Sequence, residues 1–307
     1  STGLIPGVYP GTLCIDSNDP DPGPGNGTDL VIVPLTLTVQ PGTAVTLARL
    51  FAYPVKSCAG VELDAVELTE AGLDLDRAWM AVDQRGDFVS QRQLPRMALI
   101  RCQIRSEELV LRAPGMLALH LAINAVEKPV RVQVWDDSVP AFDMGNGAAQ
   151  WFSDFLGRRL RLVRFDPEHR RLSQFRWTAG LEAPNQFSDG YPLLVVSQAS
   201  LDSLNMRLTA RGHAAVGLER FRPNLVLSGV QAHEEDFIRD VRLSGADGPV
   251  TLRLVKPCAR CPIPDIDPST AERSTAVGDT LATYRADPRL DGALTFGMNA
   301  IVLEGDG

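Results

Sequence analysis

The chain has 307 residues, of which 44% are apolar and 22% charged, and its formal net charge is −8. That length suits two domains of ordinary size, and the composition excludes both a disordered chain and a membrane-embedded one. No run approaches the ~18 apolar residues of a bilayer span, so no transmembrane segment is expected. The negative balance argues against a broad nucleic-acid surface but leaves room for a local basic pocket.

Residues 1–43 differ from the rest. The stretch from Asp16 to Asp29 is rich in Pro, Gly and Asp and reads as a solvated linker or loop. Leu30 to Val39 is β-prone, yet Pro34 limits it to an edge strand. Asn26-Gly27-Thr28 fits a glycosylation acceptor, a match that is empty without secretion. The sequence opens at Ser1 with no charged segment before an apolar core, so no signal peptide is expected. Five cysteines, an odd number, fit a reducing compartment better than a disulfide framework. Together these features predict a cytoplasmic location.

From Val45 the pattern is regular. Val45, Leu47, Phe51 and Tyr53 alternate along a strand that runs into Pro54-Val55-Lys56-Ser57-Cys58. Trp79 to Val82 and Phe88 to Gln91 flank a hairpin in which Gly86 supplies the positive φ. Leu99 to Arg105, Glu108 to Arg112, Met116 to Leu121, Pro129 to Trp135 and Leu160 to Phe165 are further short strands at barrel or sandwich spacing. Ala148 to Leu156 reads as a helix with Trp151, Phe152 and Phe155 on one face and Gly157 as its stop. Pro192 to Ser197 is a fully apolar strand whose Ser197 caps a helix carrying Leu201, Leu204 and Leu208. Leu225 to Ser228 and Asn299 to Leu303 are strands. The fold expected is mostly β with a few helices. Its division is a 1–43 extension, a β-barrel domain over 44–170 and a second barrel-like domain over 171–307.

The chemistry concentrates in Thr251 to Asp267, TLRLVKPCARCPIPDID. Alternation of Leu252 and Leu254 with Thr251 and Arg253 predicts a half-buried strand that leaves the sheet at Pro257. Cys258 and Cys261 then sit on a tight turn with Arg260 between them, and a neighbouring cation favours a thiolate. Three chemistries compete for that pair: a thioredoxin-like redox couple, half of a zinc site, or one thiolate on a soft transition metal with an open position. Two simply packed cysteines are the plain alternative. Elsewhere Lys56-Ser57, Asp76-Arg77, Asp189-Gly190 and Arg222-Pro223-Asn224 each place a polar or cationic residue beside Pro or Gly at a strand end. Taken singly, each is an ordinary surface charge or turn.

Taken together, these segments resemble the MOSC family, specifically its two-part members with an N-terminal β-barrel, such as the amidoxime-reducing components and their bacterial relatives. The resemblance covers Val45 to Gly307. It rests on RLFAYPVKSCAG, DRAWMAVD, SQRQLPRM, FSDGYPLLVVSQASLDSLN, FRPNLVLSG, KPCARC and FGMNA, in that order. It implies a molybdenum cofactor, a pterin dithiolene holding molybdenum and ending in a phosphate. By the family pattern Cys261 is the metal ligand and Cys258 its neighbour. Lys56, Ser57 and Arg77 match the positions that hold the anionic end, and Arg222 matches another cofactor-contacting arginine. Asp189 and Gly190 match a loop that hydrogen-bonds the pterin, and Asn224 and Asn299 stand at further matching positions.

The resemblance implies a reductase of N-hydroxylated or N-oxide-type small molecules. With no flavin, haem or iron–sulfur motif visible, electrons are expected from a separate reductase carrying one of those groups. Asp265 is the candidate proton donor. The alternatives are a sulfur-carrying role for Cys261 or Cys258 and a non-enzymatic cofactor handler. MOSC domains also occur fused to cysteine desulfurases, but no pyridoxal-phosphate lysine context is visible here. The sequence departs from close relatives in Pro264-Asp265, where paired threonines are common, and in Asn299, where amidoxime reducers carry an aromatic. It also stops at Gly307, short of a usual final strand, and shows no ferredoxin-like tail. Residues before Val45 have no counterpart in the family pattern.

Overall fold

The computed structural model describes residues 7–16, 30–39, 45–246 and 248–304. It divides into two units, Ser1–Val45 and Thr46–Gly307. In the first, β1 (Gly7–Asp16) and β2 (Leu30–Val39) pair antiparallel, from Gly7 opposite Val39 to Asp16 opposite Leu30. Both strands of a two-stranded sheet are edges, which is where Pro34 is tolerated. Residues 17–29, with most of the Pro/Gly/Asp-rich stretch and all of Asn26-Gly27-Thr28, lie outside the described residues.

The second unit opens with β3 (Thr46–Ala52), β4 (Val61–Leu63), the small hairpin β5 (Leu68–Thr69) and β6 (Gly72–Leu73), and β7 (Trp79–Val82). A three-stranded antiparallel sheet follows from β8 (Arg101–Ile104), β9 (Glu108–Arg112) and β10 (Leu119–Ala122). A four-stranded sheet runs β11 (Lys128–Val134), β12 (Asp137–Asp143), β13 (Arg161–Phe165) and β7. The helix α1 (Gly145–Leu156) precedes β13 and buries Trp151, Phe152 and Phe155 against Trp79, Leu109 and Leu111. It stops at Gly157 in the left-handed region, φ 67°, whose N–H bonds to the Ser153 carbonyl. After the single-turn α2 (Phe175–Thr178) come β14 (Leu193–Ser197), α3 (Gln198–Ala210) and β15 (Leu225–Ser228). The chain closes with β16 (Asp240–Ser244), β17 (Pro249–Ala259), α4 (Ala276–Ala282), β18 (Ala286–Asp287) and β19 (Ala293–Glu304).

The large sheet is ordered β16-β17-β19-β14-β15-β3-β4. Only β14 and β15 run parallel, and α3 is the crossover that parallel strands require. Ser197 starts that helix as expected, its side chain accepting from the Ser200 N–H. The fully apolar run at 193–196 has a simple cause. Leu194 and Val196 pack with α3 on one face, while Leu193 and Val195 pack with Leu225, Leu252 and Met298 on the other. A strand covered on both faces has no reason to alternate.

Several features differ from the sequence reading. Alternation along β3 changes phase: a register shift opposite Val226 and Leu227 leaves Leu47 half-exposed while Phe51 and Tyr53 are buried. Of Phe88 to Gln91, only Phe88 bridges Val82; no strand forms there, although Gly86 has the expected positive φ of 87°. Pro257 does not end its strand. It lies opposite Met298, between register shifts at Leu254/Lys256 and at Pro257/Ala259, where the ladder does not need its missing N–H. The partner strand supplies the irregularity at Gly297, φ 77°, where a Cβ would lie 2.7 Å from the Val195 carbonyl oxygen. β3 and β4 also belong to the large sheet rather than to those of the first half: β3 pairs antiparallel with β15.

Candidate active site

The loops that follow β3 and β17 and those that lead into β14 and β15 surround a cleft of about 110 Å³. It is lined by Lys56, Ser57, Arg77, Asp189, Gly190, Arg222, Asn224, Cys261 and Asn299, nine of the ten site residues expected from sequence. Cys258 lines it too. Asp265 does not. Its Oδ1 accepts from the Val277 and Gly278 N–H groups at 3.1 and 3.0 Å, so it caps the first turn of α4. Gly278 is fitted to that carboxylate, since a Cβ there would meet Oδ2 at 2.8 Å.

The charge of the cleft is opposite to that of the chain. Lys56, Arg77, Arg92, Arg222 and Arg260 line it, against Asp189 as the one carboxylate among the described lining residues. Lys56 is 6% exposed, and its ammonium donates to the Phe187 carbonyl at 2.7 Å and to Asp189 Oδ1 at 2.5 Å. Burial pushes the Lys56 pKa down and the Asp189 carboxylate resists. Desolvation by the surrounding cleft opposes the Asp189 charge although much of the side chain is exposed, but Lys56 outweighs it and holds the carboxyl well below its ordinary range. Trp135 Nε1 adds a bond to the same oxygen at 3.2 Å.

Arg77 is fixed at several points: to Asp76 at 2.5 Å, Asn224 Oδ1 at 3.0 Å and the Arg222 carbonyl at 3.1 Å. Asn224 is 1% exposed and spends its amide internally, accepting also from the Leu194 N–H and donating to the Phe51 carbonyl. It therefore aligns β3, β14 and Arg77, and reaches the cleft as part of its wall. Arg222 donates to the Cys58 carbonyl, while its Nη2 is buried without a protein partner. Ser57, Arg77 and Arg222 have φ of 68°, 53° and 59°. Each such non-glycine conformation costs ~1–3 kcal/mol and persists where surroundings enforce it, commonly at ligand sites.

Cys258 Sγ accepts from Arg260 Nη1 at 3.0 Å, and Arg260 Nη2 donates to the Phe221 carbonyl at 2.9 Å. Arg260 Nε is buried without a partner. Cys58 and Cys102 differ. Burial pushes Cys58 well above the thiol range and Cys102 up to about 12, so both are packing groups. Among the described residues no group of three or more His, Cys, Asp and Glu side chains is arranged to hold a metal ion. A metal in the cleft would take its protein ligands from the Cys258 and Cys261 turn.

Several wall residues escaped the sequence reading. Arg92 lies in SQRQLPRM and Ser188 and Tyr191 in FSDGYPLL, segments recognised without roles for those positions. Arg171, in the weakly patterned stretch before β14, is 7% exposed and shapes the loop that carries Asp189. Its Nη1 donates to Asn185 Oδ1, the Gln186 carbonyl and the Ser188 carbonyl at 2.7–2.9 Å. No periodic signal marks such a residue, because its partners are scattered: the Asp137 carboxylate, the Asn185 side chain and two backbone carbonyls of another loop.

A cationic cleft that combines orphaned guanidinium nitrogens with two thiols is chemically suited to an anionic ligand beside a soft sulfur donor. The chain belongs to the MOSC family: the MOSC N-terminal beta barrel domain matches residues 44–159 and the MOSC domain residues 182–306. It is 36% identical over 255 residues to the mitochondrial amidoxime-reducing component 1 of Mus musculus, covering 79% of this chain and 72% of that protein. The Homo sapiens component 1 is also 36% identical, over 258 residues, with 79% and 73% covered. The molybdenum cofactor sulfurase of Danio rerio is 29% identical over 84% of this chain and 32% of its own length. Among the described residues no helix is long and apolar enough to cross a membrane.

Proposed function

We propose that the protein is a molybdenum-cofactor oxidoreductase that reduces N-hydroxylated or N-oxide-type small molecules with electrons from a separate donor protein. The observation that carries this reading is the convergence of Lys56, Ser57, Arg77, Asp189, Gly190, Arg222 and Cys261 on one cleft. The residues fit the group. Arg222 Nη2 and Arg260 Nε are buried donors without protein partners, as an anionic ligand would require. A Cβ on Gly190 would meet no atom within 4 Å, so that loop leaves room for a ring against its backbone. Cys261 supplies the soft ligand.

When bound, the cofactor would supply the two-electron redox chemistry that, with two protons, reduces the N–O group and releases its oxygen as water. The chain's part is to hold and exclude. Lys56, Arg77 and Arg222 hold the anionic end, Asp189 and the Gly190 backbone orient the pterin edge, and Asn299 and Tyr191 line the cleft beside Cys261. Asp265 takes no part, because its carboxylate is engaged in capping α4.

The deciding experiment is metal content by elemental mass spectrometry, on protein made in a host competent for molybdenum cofactor synthesis. Near-stoichiometric molybdenum in the natural protein, retained in Cys258→Ala and lost in Cys261→Ala, supports the reading. Zinc or no metal overturns it. Turnover with NADH alone would remove the separate donor, and fractionation tests the cytoplasmic placement against the mitochondrial one in the relatives' names. A second reading, sulfur transfer by Cys258, draws on the Arg260 hydrogen bond to its sulfur. A persulfide on Cys258 in metal-free protein would favour it.

A further inference from the structure

The cleft sets two partly buried guanidinium groups against one aromatic ring. Arg77 Cζ lies 4.4 Å and Arg222 Cζ 4.3 Å from the centroid of one ring, that of Tyr53. Tyr53 is 1% exposed and stands just beyond the end of β3. Like charges this close repel, and removal from water strengthens the repulsion. Asp76 neutralises Arg77 at 2.5 Å, but Arg222 has no carboxylate within ion-pair distance among the described residues. Apart from the Cys58 carbonyl, to which Arg222 Nη1 donates, the aromatic face is what remains. Its negative quadrupole attracts a desolvated cation.

The ring is locked in that position. The Tyr53 N–H donates to Asp76 Oδ1 at 2.7 Å and its carbonyl accepts from the Arg77 N–H at 2.9 Å, so the backbone is tied to the turn that carries Arg77. Gly60 closes the other side, since a Cβ there would lie 2.4 Å from a ring carbon. The phenol oxygen is buried with no protein partner. The ring, rather than the hydroxyl, is therefore what this position uses.

We propose that Tyr53 is a positioning residue whose ring holds Arg77 and Arg222 together as a preformed clamp for a phosphate-type dianion. The clamp rests on the anion-cleft reading above and gives it a mechanism. Without the ring, Arg222 would swing away from Arg77, and bringing the pair together would have to be driven by the ligand itself.

The test is titration of cofactor-free full-length protein with inorganic phosphate and pyrophosphate by calorimetry. It is combined with ¹⁵N spectra of the arginine side chains. Natural protein and Tyr53→Phe should show ring-current-shifted Nε–H signals for Arg77 and Arg222 and phosphate Kd values within about twofold of each other. Tyr53→Leu, similar in bulk but without a π face, should lose the shifts and bind about tenfold more weakly or worse, the scale of a desolvated cation–π pair. Gly60→Ala, which displaces the ring without removing it, should behave like Tyr53→Leu and decides the matter if the leucine variant does not fold. Unchanged phosphate affinity in either folded variant, or none in the natural protein, overturns the clamp. Molybdenum loading in a competent host is scored separately. A functioning clamp in a protein that never loads molybdenum would sink the enzyme reading alone, and loading with an unaffected Tyr53→Leu would sink the clamp alone.

Discussion

The Lys56 ammonium and the Asp189 carboxylate, 2.5 Å apart, join a loop of the first half of the chain to a loop of the second across the mouth of the cleft. Lys56 is buried and Asp189 largely exposed, so removing the acid leaves the costlier partner behind. Asp189→Asn should lower stability by about 1–2 kcal/mol, discounted for the exposure of the carboxylate. The sign with pH follows from the depressed carboxyl. Its contribution is present above its ordinary pKa, about 3.9, and is lost as pH falls through the folded value. Urea unfolding at pH 7 and pH 3 should show a smaller acid loss in Asp189→Asn than in the natural protein.

Asp265→Asn tests whether position 265 serves the helix or the reaction. Loss of a charged cap bonded to two N–H groups should cost about 1–2 kcal/mol and shift the thermal midpoint down by a few degrees. Molybdenum stoichiometry in a competent host should not change. A stable variant with lost metal would return Asp265 to the site.

The thiols should separate by reactivity. Iodoacetamide under native conditions should label Cys258 and Cys261 first. Cys58 and Cys102, pushed upward by burial, should react only on unfolding. Peptide mapping reads this directly. Cofactor loading should protect Cys261.

His233 offers a second pH handle. It lies between the Tyr284 and Phe296 rings, and both ring nitrogens are buried without protein partners. Burial, reinforced by Arg285 and Arg207 against Asp236, lowers its pKa from 6.5 to about 4. The unfolded chain therefore takes up the proton first as pH falls. Stability should be full above about 6.5 and decline toward 4, by an amount on the order of 2–3 kcal/mol. Unfolding midpoints of His233→Gln across that window should be flatter than those of the natural protein.

The sequence was most legible where one physical cause acts alone. Trp151, Phe152 and Phe155 face one core, and Ser197 is a helix cap with nothing else to do. β12 was missed because DSVPAFD carries Asp, Ser and Pro, all poor strand formers, and is held as a strand by neighbours on both sides. Pro257 was read as a stop because the bulge that accommodates it is made by Gly297, forty residues later in the chain. Within the site, nine residues could be placed through their motifs. Asp265 could not, since an acid after Pro264 looks the same whether it caps a helix or serves a substrate. Tyr53 could not be singled out either: an aromatic at the end of an alternating strand reads as ordinary core until the two arginines are seen against it.

β3 has a consequence for how the molecule is made. β4 pairs with one of its edges from close by in the chain, yet the other edge pairs with β15, and the Asn224 amide that bonds the Phe51 carbonyl is 173 residues away. A ribosome must therefore add the residues up to β15 before that second edge has a partner, and closing so long a loop slows folding. Until then β3 presents an unpaired edge and Lys56, Arg77 and Tyr53 have nothing to complete them. A fragment beginning after residue 170 would lack both an interior strand of the large sheet and three of the five cations of its cleft wall.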